Sequence, residues 1–214
     1  MARIESFEKY SKEYDEWFIK NQNIYSAELN AIMRLFPYDK FGVEIGIGTG
    51  KFALPLGIKV GIEPSKKMAE ISRNRGIQVY EGVAEQLPFN DETFDVVLLV
   101  TTICFVDDLK ESFKEAYRVL KNKGFIIVGF VDKESELGKR YQLKRMNSKF
   151  YKEATFYSAK EVIDFLGKAN FENFVIRQTV FPSRTGRIDS VEDGWGKGSF
   201  VIIKGIKKIN LRES

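Results

Sequence analysis

Five short apolar segments in the first 131 residues constrain the fold of this 214-residue chain more than any other feature of its sequence. They are near-continuously hydrophobic rather than alternating, which is typical of parallel strands covered by helices on both faces. The segments span residues 41–45, 59–62, 77–80, 95–100 and 125–131. Helix-like segments lie between them, notably residues 65–74 and 108–120, each with a glycine just beyond its end. This alternation predicts an α/β fold with a doubly wound, mostly parallel sheet and helices on both faces.

The two ends of the chain predict further elements around this core. Residues 24–35 place apolar side chains largely along one helical face, and Pro37 ends that segment. Near the other end, the sequence Ser158-Ala-Lys-Glu161 predicts a capping box that opens a helix to about Lys168.

Two longer apolar segments, residues 171–181 and 199–207, then predict an antiparallel strand pair that completes a seven-stranded sheet. We expect a single domain over residues 1–214 because no repeat or Gly/Ser/Pro-rich linker interrupts it. Within this domain we expect a helical lid in residues 1–36, a cofactor-binding core in 37–131 and a substrate side in 132–214, which includes the last two strands.

The side chains that are missing exclude several kinds of chemistry. The chain has no histidine and one cysteine, Cys104. An intramolecular disulfide, a Cys/His zinc site and histidine-based acid, base or nucleophilic catalysis are therefore excluded, and we expect no metal.

A glycine-rich turn, Val43-Glu44-Ile45-Gly46-Ile47-Gly48-Thr49-Gly50, carries the strongest functional signal and follows the first predicted strand. Glycines in such a turn let a ligand approach the backbone and leave amide groups at a helix start facing it. The spacing is G-x-G-x-G, whereas a dinucleotide fingerprint needs G-x-G-x-x-G, and no G-K-[ST] closes a phosphate loop. The turn therefore predicts a nucleotide-like ligand. The spacing, with Lys51 after Gly50, argues against NAD, and an NAD oxidoreductase is a third hypothesis for the function. An empty strand-to-helix turn is the other interpretation of the turn itself.

A second signal ends the next predicted strand, where Glu63 follows Glu44 by 19 positions (63 − 44). A carboxylate at the tip of that strand can accept hydrogen bonds from both hydroxyls of a ribose. Alone, Glu63 could equally cap the helix that follows Pro64. Beside the glycine turn, it favours a ligand that contains adenosine.

These features together resemble the class I S-adenosylmethionine-dependent methyltransferases, in the small-molecule, methyltransferase-domain-11-like branch. The similarity runs through VEIGIGTG, GIEPSKKMAEISRNRG, EGVAEQLPF, FDVVLLVTT and YRVLKNKGFIIV, and YSAKEVIDFLGKANFENF looks like the family's last helix and strand. The resemblance implies S-adenosylmethionine as the methyl donor and S-adenosylhomocysteine as the product.

The resemblance also implies roles for individual residues. Gly46, Gly48 and Gly50 would pass under the methionine moiety, Glu63 would hold the ribose and Met68 would flank the adenine. Family members often carry Asp where this chain has Val83 at the adenine edge. The complete expected cofactor-binding set is Glu44, Gly46, Ile47, Gly48, Thr49, Gly50, Glu63, Pro64, Met68, Val83, Ala84, Glu85 and Thr101.

The acceptor side is predicted more loosely. Tyr10, Tyr14 and Trp17 belong to an aromatic N-terminal segment, which either packs on the domain or closes as a lid with ring faces near the sulfonium. Thr102, Cys104 and Phe105 follow the fourth strand, where α/β folds bind ligands. The connection between the last two predicted strands, residues 182–197, contains Arg184, Arg187 and Trp195. This connection either shapes the acceptor pocket or is solvated.

The sequence therefore predicts transfer of a methyl group to a small-molecule O, N, S or C acceptor by in-line displacement, with no assignable base. A non-catalytic S-adenosylmethionine or S-adenosylhomocysteine sensor or assembly protein is the alternative. The modest charge of +4, spread along the chain, argues against nucleic acid, and no segment resembles a signal or membrane span. We expect a cytoplasmic monomer or homodimer, and abundant Lys and Glu suggest a thermophilic source.

Overall fold

An eight-stranded sheet with helices on both faces confirms the predicted α/β fold in the computed structural model, which describes residues 3–37, 39–182 and 190–209. The helices are α1 (Glu5–Lys9), α2 (Ser11–Lys20), α3 (Gln22–Met33), α4 (Lys66–Asn74), α5 (Leu109–Val119), α6 (Glu136–Leu143) and α7 (Ala159–Lys168). The strands are β1 (Gly42–Ile45), β2 (Val60–Ile62), β3 (Gln78–Tyr80), β4 (Phe94–Val100), β5 (Leu120–Val131), β6 (Phe171–Thr179), β7 (Glu192–Asp193) and β8 (Phe200–Lys207). None of the helices in these ranges is both long and apolar enough to cross a membrane.

The strand order is β3-β2-β1-β4-β5-β8-β6-β7. The first five strands in this order are parallel, and β8 then runs antiparallel to both β5 and β6. Since parallel strands end at the same edge, the segments after β1, β2 and β4 come together there. The glycine turn, Glu63 and Thr101 are therefore neighbours although 55 residues of chain separate the first and last of them (101 − 46).

Local sequence signals explain where the helices begin. Asp108 caps α5 by accepting a hydrogen bond from the amide of Glu111, and Ser65 caps α4 through the amide of Met68. The predicted capping box at α7 is confirmed, with Ser158 and Glu161 each bonded to the other's backbone.

The core lies on both faces of the sheet. On one face α5 and α7 contribute the fully buried Phe113 and Leu166, and on the other α3 contributes Ile32, which packs with Phe52 and Phe200. Burial of this kind stabilises a fold by about 25 cal/mol per Å² of apolar surface.

Three predicted details differ from the structure. The predicted N-terminal helical region consists of three helices, α1 to α3. The sheet has eight strands rather than the predicted seven, because the short strand Glu192–Asp193 pairs with β6 at the edge of the sheet. No regular helix follows the glycine turn: residues 51–57 form successive turns, because Pro55 lacks an amide proton and Gly57 has a φ of 73°.

Candidate functional site

The glycine turn has backbone angles that favour glycine. Gly46, Gly48 and Gly50 have φ values of 68°, 56° and 78°. A side chain at Gly46 would also overlap Thr102, whose hydroxyl donates a hydrogen bond to the carbonyl oxygen of Ile45 at 3.0 Å. The turn is therefore fixed against the start of the β4–α5 connection.

Glu63 joins the glycine turn to the start of α4. Its carboxylate accepts hydrogen bonds from the amide of Gly48 at 2.8 Å and from the amide of Ser65 at 2.9 Å. Burial raises the pKa of Glu63 to about 7, and the two amide bonds oppose that rise. Each carboxylate oxygen retains a further lone pair, so Glu63 can still accept hydrogen bonds from a ligand.

A cavity opens beside this carboxylate and collects most of the predicted site. Gly46, Gly48, Glu63, Pro64, Met68, Val83, Ala84, Glu85 and Thr101 line it from the expected cofactor set, and Tyr14, Trp17, Thr102 and Phe105 line it from the expected lid and acceptor sets. A Cβ on Gly48 would lie 3.5 Å from Met68 Cε and 3.6 Å from Tyr14 Cε1. Met68 and Tyr14 also line the cavity, so a side chain at position 48 would enter it.

Six predicted residues lie outside the cavity lining: Glu44, Ile47, Thr49, Gly50, Tyr10 and Cys104. Gly50 packs against Ile77 and Ser72, beneath the turn. Cys104 is buried, and burial raises the pKa of its thiol to about 12, so it is a poor nucleophile. Trp195 is also absent from this lining and half-exposed, while Arg184 and Arg187 lie outside the described residues.

The adenine edge predicted from Val83 to Glu85 lies on the cavity wall, but the carboxylate of Glu85 is already engaged. It accepts hydrogen bonds from the backbone amides of Asp107 at 2.7 Å and Asp108 at 3.0 Å. Glu85 therefore positions the start of α5. Its carboxylate has less remaining capacity to accept a hydrogen bond from the adenine in place of the Asp that family members often carry at the position of Val83.

The N-terminal helices are attached to the cofactor side by polar links. Arg75 pairs with Asp15 at 2.7 Å and also donates to the carbonyl oxygen of Thr49 in the glycine turn. Glu8 accepts hydrogen bonds from the hydroxyl of Ser65 at 2.6 Å and the amide of Lys67 at 3.2 Å. These links hold α1 and α2 over the cavity.

Aromatic rings of α1 and α2, together with Phe150, form one part of the cavity wall. The ring of Tyr14 lies 5.8 Å from that of Phe7 and 5.8 Å from that of Phe150, with both contacts edge-on. Burial is the main cause of a raised pKa at Tyr14, followed by the nearby carboxylates of Glu44, Glu63 and Glu28. Tyr14 is therefore an uncharged phenol within the electrostatic reach of all three acids.

Sequence reasoning missed several cavity residues, among them Glu28, Tyr141, Phe150 and Tyr151. Burial raises the pKa of Glu28 to about 8. The signal was present in the sequence, because Glu28 lies four residues from both Ile24 and Ile32, on the apolar face of the predicted helix. An acid on such a face indicates a buried carboxylate.

The site fits the ligand class predicted from the sequence. In the described cavity wall, Gly46 and Gly48 expose the backbone of the turn, and Glu63 provides a carboxylate suited to vicinal hydroxyls. The rest of the wall is mostly apolar and aromatic. Glu44, two residues before Gly46 in this turn, has one buried oxygen, Oε2, with no hydrogen-bond partner in the described part of the chain. The described residues contain no group of three metal-ligating side chains.

The fold is the Rossmann-like fold of class I: a parallel sheet with an antiparallel strand pair at one end, and a glycine turn and an acid after the first two strands. The family model described as "Methyltransferase domain" matches residues 43–128. A solved S-adenosylmethionine-dependent methyltransferase from Thermotoga maritima, a possible histamine N-methyltransferase, is 50% identical. It has a TM-score of 0.92, with 96% of this chain and 100% of that chain covered. The chain belongs to the class I S-adenosylmethionine-dependent methyltransferases of this methyltransferase-domain family.

Two further relatives extend the comparison. An uncharacterised protein of Methanocaldococcus jannaschii is 47% identical over 203 residues, which are 94% of this chain and 98% of that protein. A solved complex of the Haloferax volcanii Trm112 methyltransferase activator with a protein described as "the putative methyltransferase" contains a chain that has a TM-score of 0.73 at 17% identity. The match covers 95% of this chain and 98% of that chain. At this identity the likeness concerns the fold alone.

Proposed function

We propose that this protein binds S-adenosylmethionine in the cavity beside Glu63 and transfers its methyl group to a small-molecule acceptor by in-line displacement. The observation that carries this proposal is the juxtaposition of Glu63 with the glycine turn. The carboxylate lies on the cavity wall and is held by the amide of Gly48 at 2.8 Å.

The cofactor end is formed by residues that the sequence predicted. Glu63 accepts hydrogen bonds from the ribose hydroxyls, Met68 packs against the base, and Val83 and Ala84 contact its edge. The backbone at Gly46 and Gly48 lies against the methionine moiety. When bound, S-adenosylmethionine supplies a methyl group on a positively charged sulfur.

The residues of the chain contribute chiefly by positioning and by excluding water. Tyr14 and Phe105 cover the cavity, and their ring faces suit a cation. Correct orientation of two reactants can lower a barrier by about 7–11 kcal/mol. The sulfide that leaves is neutral, so no acid is needed to protonate it.

Titration calorimetry with S-adenosylhomocysteine tests the binding step. We expect Glu63→Ala to lose about 1.5–3 kcal/mol of affinity, the contribution of hydrogen bonds to a charged group. Glu16→Ala is the control, since the Glu16 side chain is exposed on α2 and pairs with Lys20 across one helical turn. Equal affinity in Glu63→Ala and wild type would remove Glu63 from the site.

A methyl-release assay then separates an enzyme from the alternative sensor. The assay uses labelled S-adenosylmethionine and a panel of amines, phenols, carboxylic acids and thiols. Transfer to any of them, at a rate that Glu63→Ala reduces, supports the proposal. Tight binding without transfer to the whole panel would favour the sensor.

A further inference from the structure

A second buried carboxylate, on a helix outside the glycine turn, lines the same cavity. Glu28 lies on α3 and its side chain is only 7% exposed. Ile24 of the same helix, Trp17 of α2, and Leu137 and Tyr141 of α6 line the same cavity, and Glu28 is close enough to Tyr141 to raise its pKa. None of these residues belongs to the expected cofactor-binding set, so this group of residues is a candidate acceptor side.

Burial raises the pKa of Glu28 to about 8, because its ionised form is costly unless a positive charge lies beside it. An ionised Glu28 raises the pKa of Tyr14, Tyr141 and Tyr151. Arg3 is the one cationic residue of the described lining, and it donates hydrogen bonds to the carbonyl oxygen of Glu153 and the hydroxyl of Thr155. No ion pair joins Arg3 to Glu28 among the described residues, so a cationic ligand beside Glu28 would supply the partner that stabilises its ionised form.

Aromatic rings next to this carboxylate narrow the chemistry of that ligand. The rings of Tyr141 and Tyr151 stack with centroids 4.8 Å apart, and Phe105 stacks on Tyr151 at 6.1 Å. Ring faces and a carboxylate together recognise a protonated nitrogen. A carboxylic acid would add a second acid beside Glu28, and a neutral alcohol would give the ionised form of Glu28 no counter-charge.

We propose that the methyl acceptor is a small amine or azole with a protonatable nitrogen, and that the carboxylate of Glu28 binds this nitrogen and takes its proton. This inference rests on the proposed function. The carboxylate removes one N–H proton from the ammonium, which frees the nitrogen lone pair. That pair forms the new N–C bond as the S–CH₃ bond breaks and its electrons pass to sulfur. Glu28 afterwards releases the proton to solvent.

Binding is measured by calorimetry on the full chain saturated with S-adenosylhomocysteine. The probes are histamine, tyramine, tryptamine and spermidine, each paired with an analogue in which a hydroxyl or a carboxylate replaces the amine. Methyl transfer from labelled S-adenosylmethionine to the same probes gives kcat and KM. The variants are Glu28→Gln, Glu28→Asp and the exposed control Glu16→Gln.

We expect at least one amine to bind wild type at least tenfold more tightly than its analogues. Glu28→Gln should lose that preference and lower kcat at least tenfold, while its S-adenosylhomocysteine affinity stays within twofold of wild type. Glu28→Asp should recover part of kcat, and Glu16→Gln should match wild type. A Glu28→Gln variant that is folded in denaturant unfolding but does not bind S-adenosylhomocysteine would place Glu28 at the cofactor and overturn the inference. If the variant does not fold, Glu28→Asp provides the comparison.

Two further outcomes would overturn the inference alone: no amine is preferred by a wild type that binds S-adenosylhomocysteine, or Glu28→Gln methylates amines at the wild-type rate. Failure of wild type to bind S-adenosylhomocysteine would overturn the proposed function together with the inference. The two failures are thus distinguished by the first titration.

Discussion

The buried carboxylate of Glu28 makes a prediction about folding stability that needs no ligand. In the folded chain, burial moves its pKa from the ordinary 4.5 to about 8. Below pH 4.5 both the folded and the unfolded chain hold the proton. As the pH rises from 4.5 to 8, the unfolded chain releases it first, so wild type loses stability, and the loss levels off above pH 8.

Glu28→Gln removes this titration and keeps the size of the side chain. A difference between pKa values of 4.5 and 8 corresponds to at most about 5 kcal/mol. Because the carboxylate faces a cavity rather than solid core, we expect about 2–4 kcal/mol in favour of the variant at pH 9. The difference should shrink toward zero near pH 4.

The assay is denaturant unfolding of both proteins at several pH values between 4 and 9. Glu63, whose pKa is about 7, titrates in the same range in both proteins and cancels in their difference. Tyr14, Tyr141 and Tyr151 all have raised pKa values and stay uncharged there. Glu16→Gln serves as the exposed control. A stability difference between Glu28→Gln and wild type that does not change with pH would refute the argument.

Three further substitutions test the turn and the core. Gly48→Val should abolish S-adenosylhomocysteine binding in calorimetry, because φ is 56° and the side chain would enter the cavity; retained binding would place the ligand elsewhere. Gly61→Ala should lower the unfolding free energy by about 1–3 kcal/mol, because the new Cβ overlaps Ile47; a wild-type melting temperature would contradict this. Phe113→Ala should cost about 3–5 kcal/mol in denaturant unfolding, since the ring is fully buried, and a loss below 1 kcal/mol would contradict its place in the core. Glu111→Gln is the control for the last two, because Glu111 lies on the same helix as Phe113 and its side chain is half-exposed.

The sheet was predictable because its signals are local. Continuous apolar segments locate β1 to β4, and Ser158 with Glu161 locates the start of α7 within one residue. The two-residue β7 has no periodicity, and its pairing with β6 depends on contacts made only in the folded chain. The start of β5 at Leu120, directly after α5, was likewise missed because Lys121-Asn-Lys123 is polar.

The two ends of the candidate site differ in the same way. The cofactor end is built from short sequences after β1 and β2, whose glycines and acid are recognisable without a structure. The other end is assembled from α2, α3, α6 and the loop before Tyr151, which lie far apart in sequence. No local pattern links Glu28 to Tyr141, so only the folded arrangement shows that they share a cavity.

The matched family segment, residues 43–128, provides the glycine turn and Glu63, whereas Glu28 and Tyr141 lie outside it, one on each side. If the proposed roles hold, the residues that bind the methyl donor and the carboxylate that binds the acceptor lie in separable stretches of chain. Exchanging the flanking helices between relatives would then alter which compound is modified and leave the methyl source untouched. Such a change of specificity could begin outside the shared segment, although Thr102 and Phe105 of that segment also line the cavity.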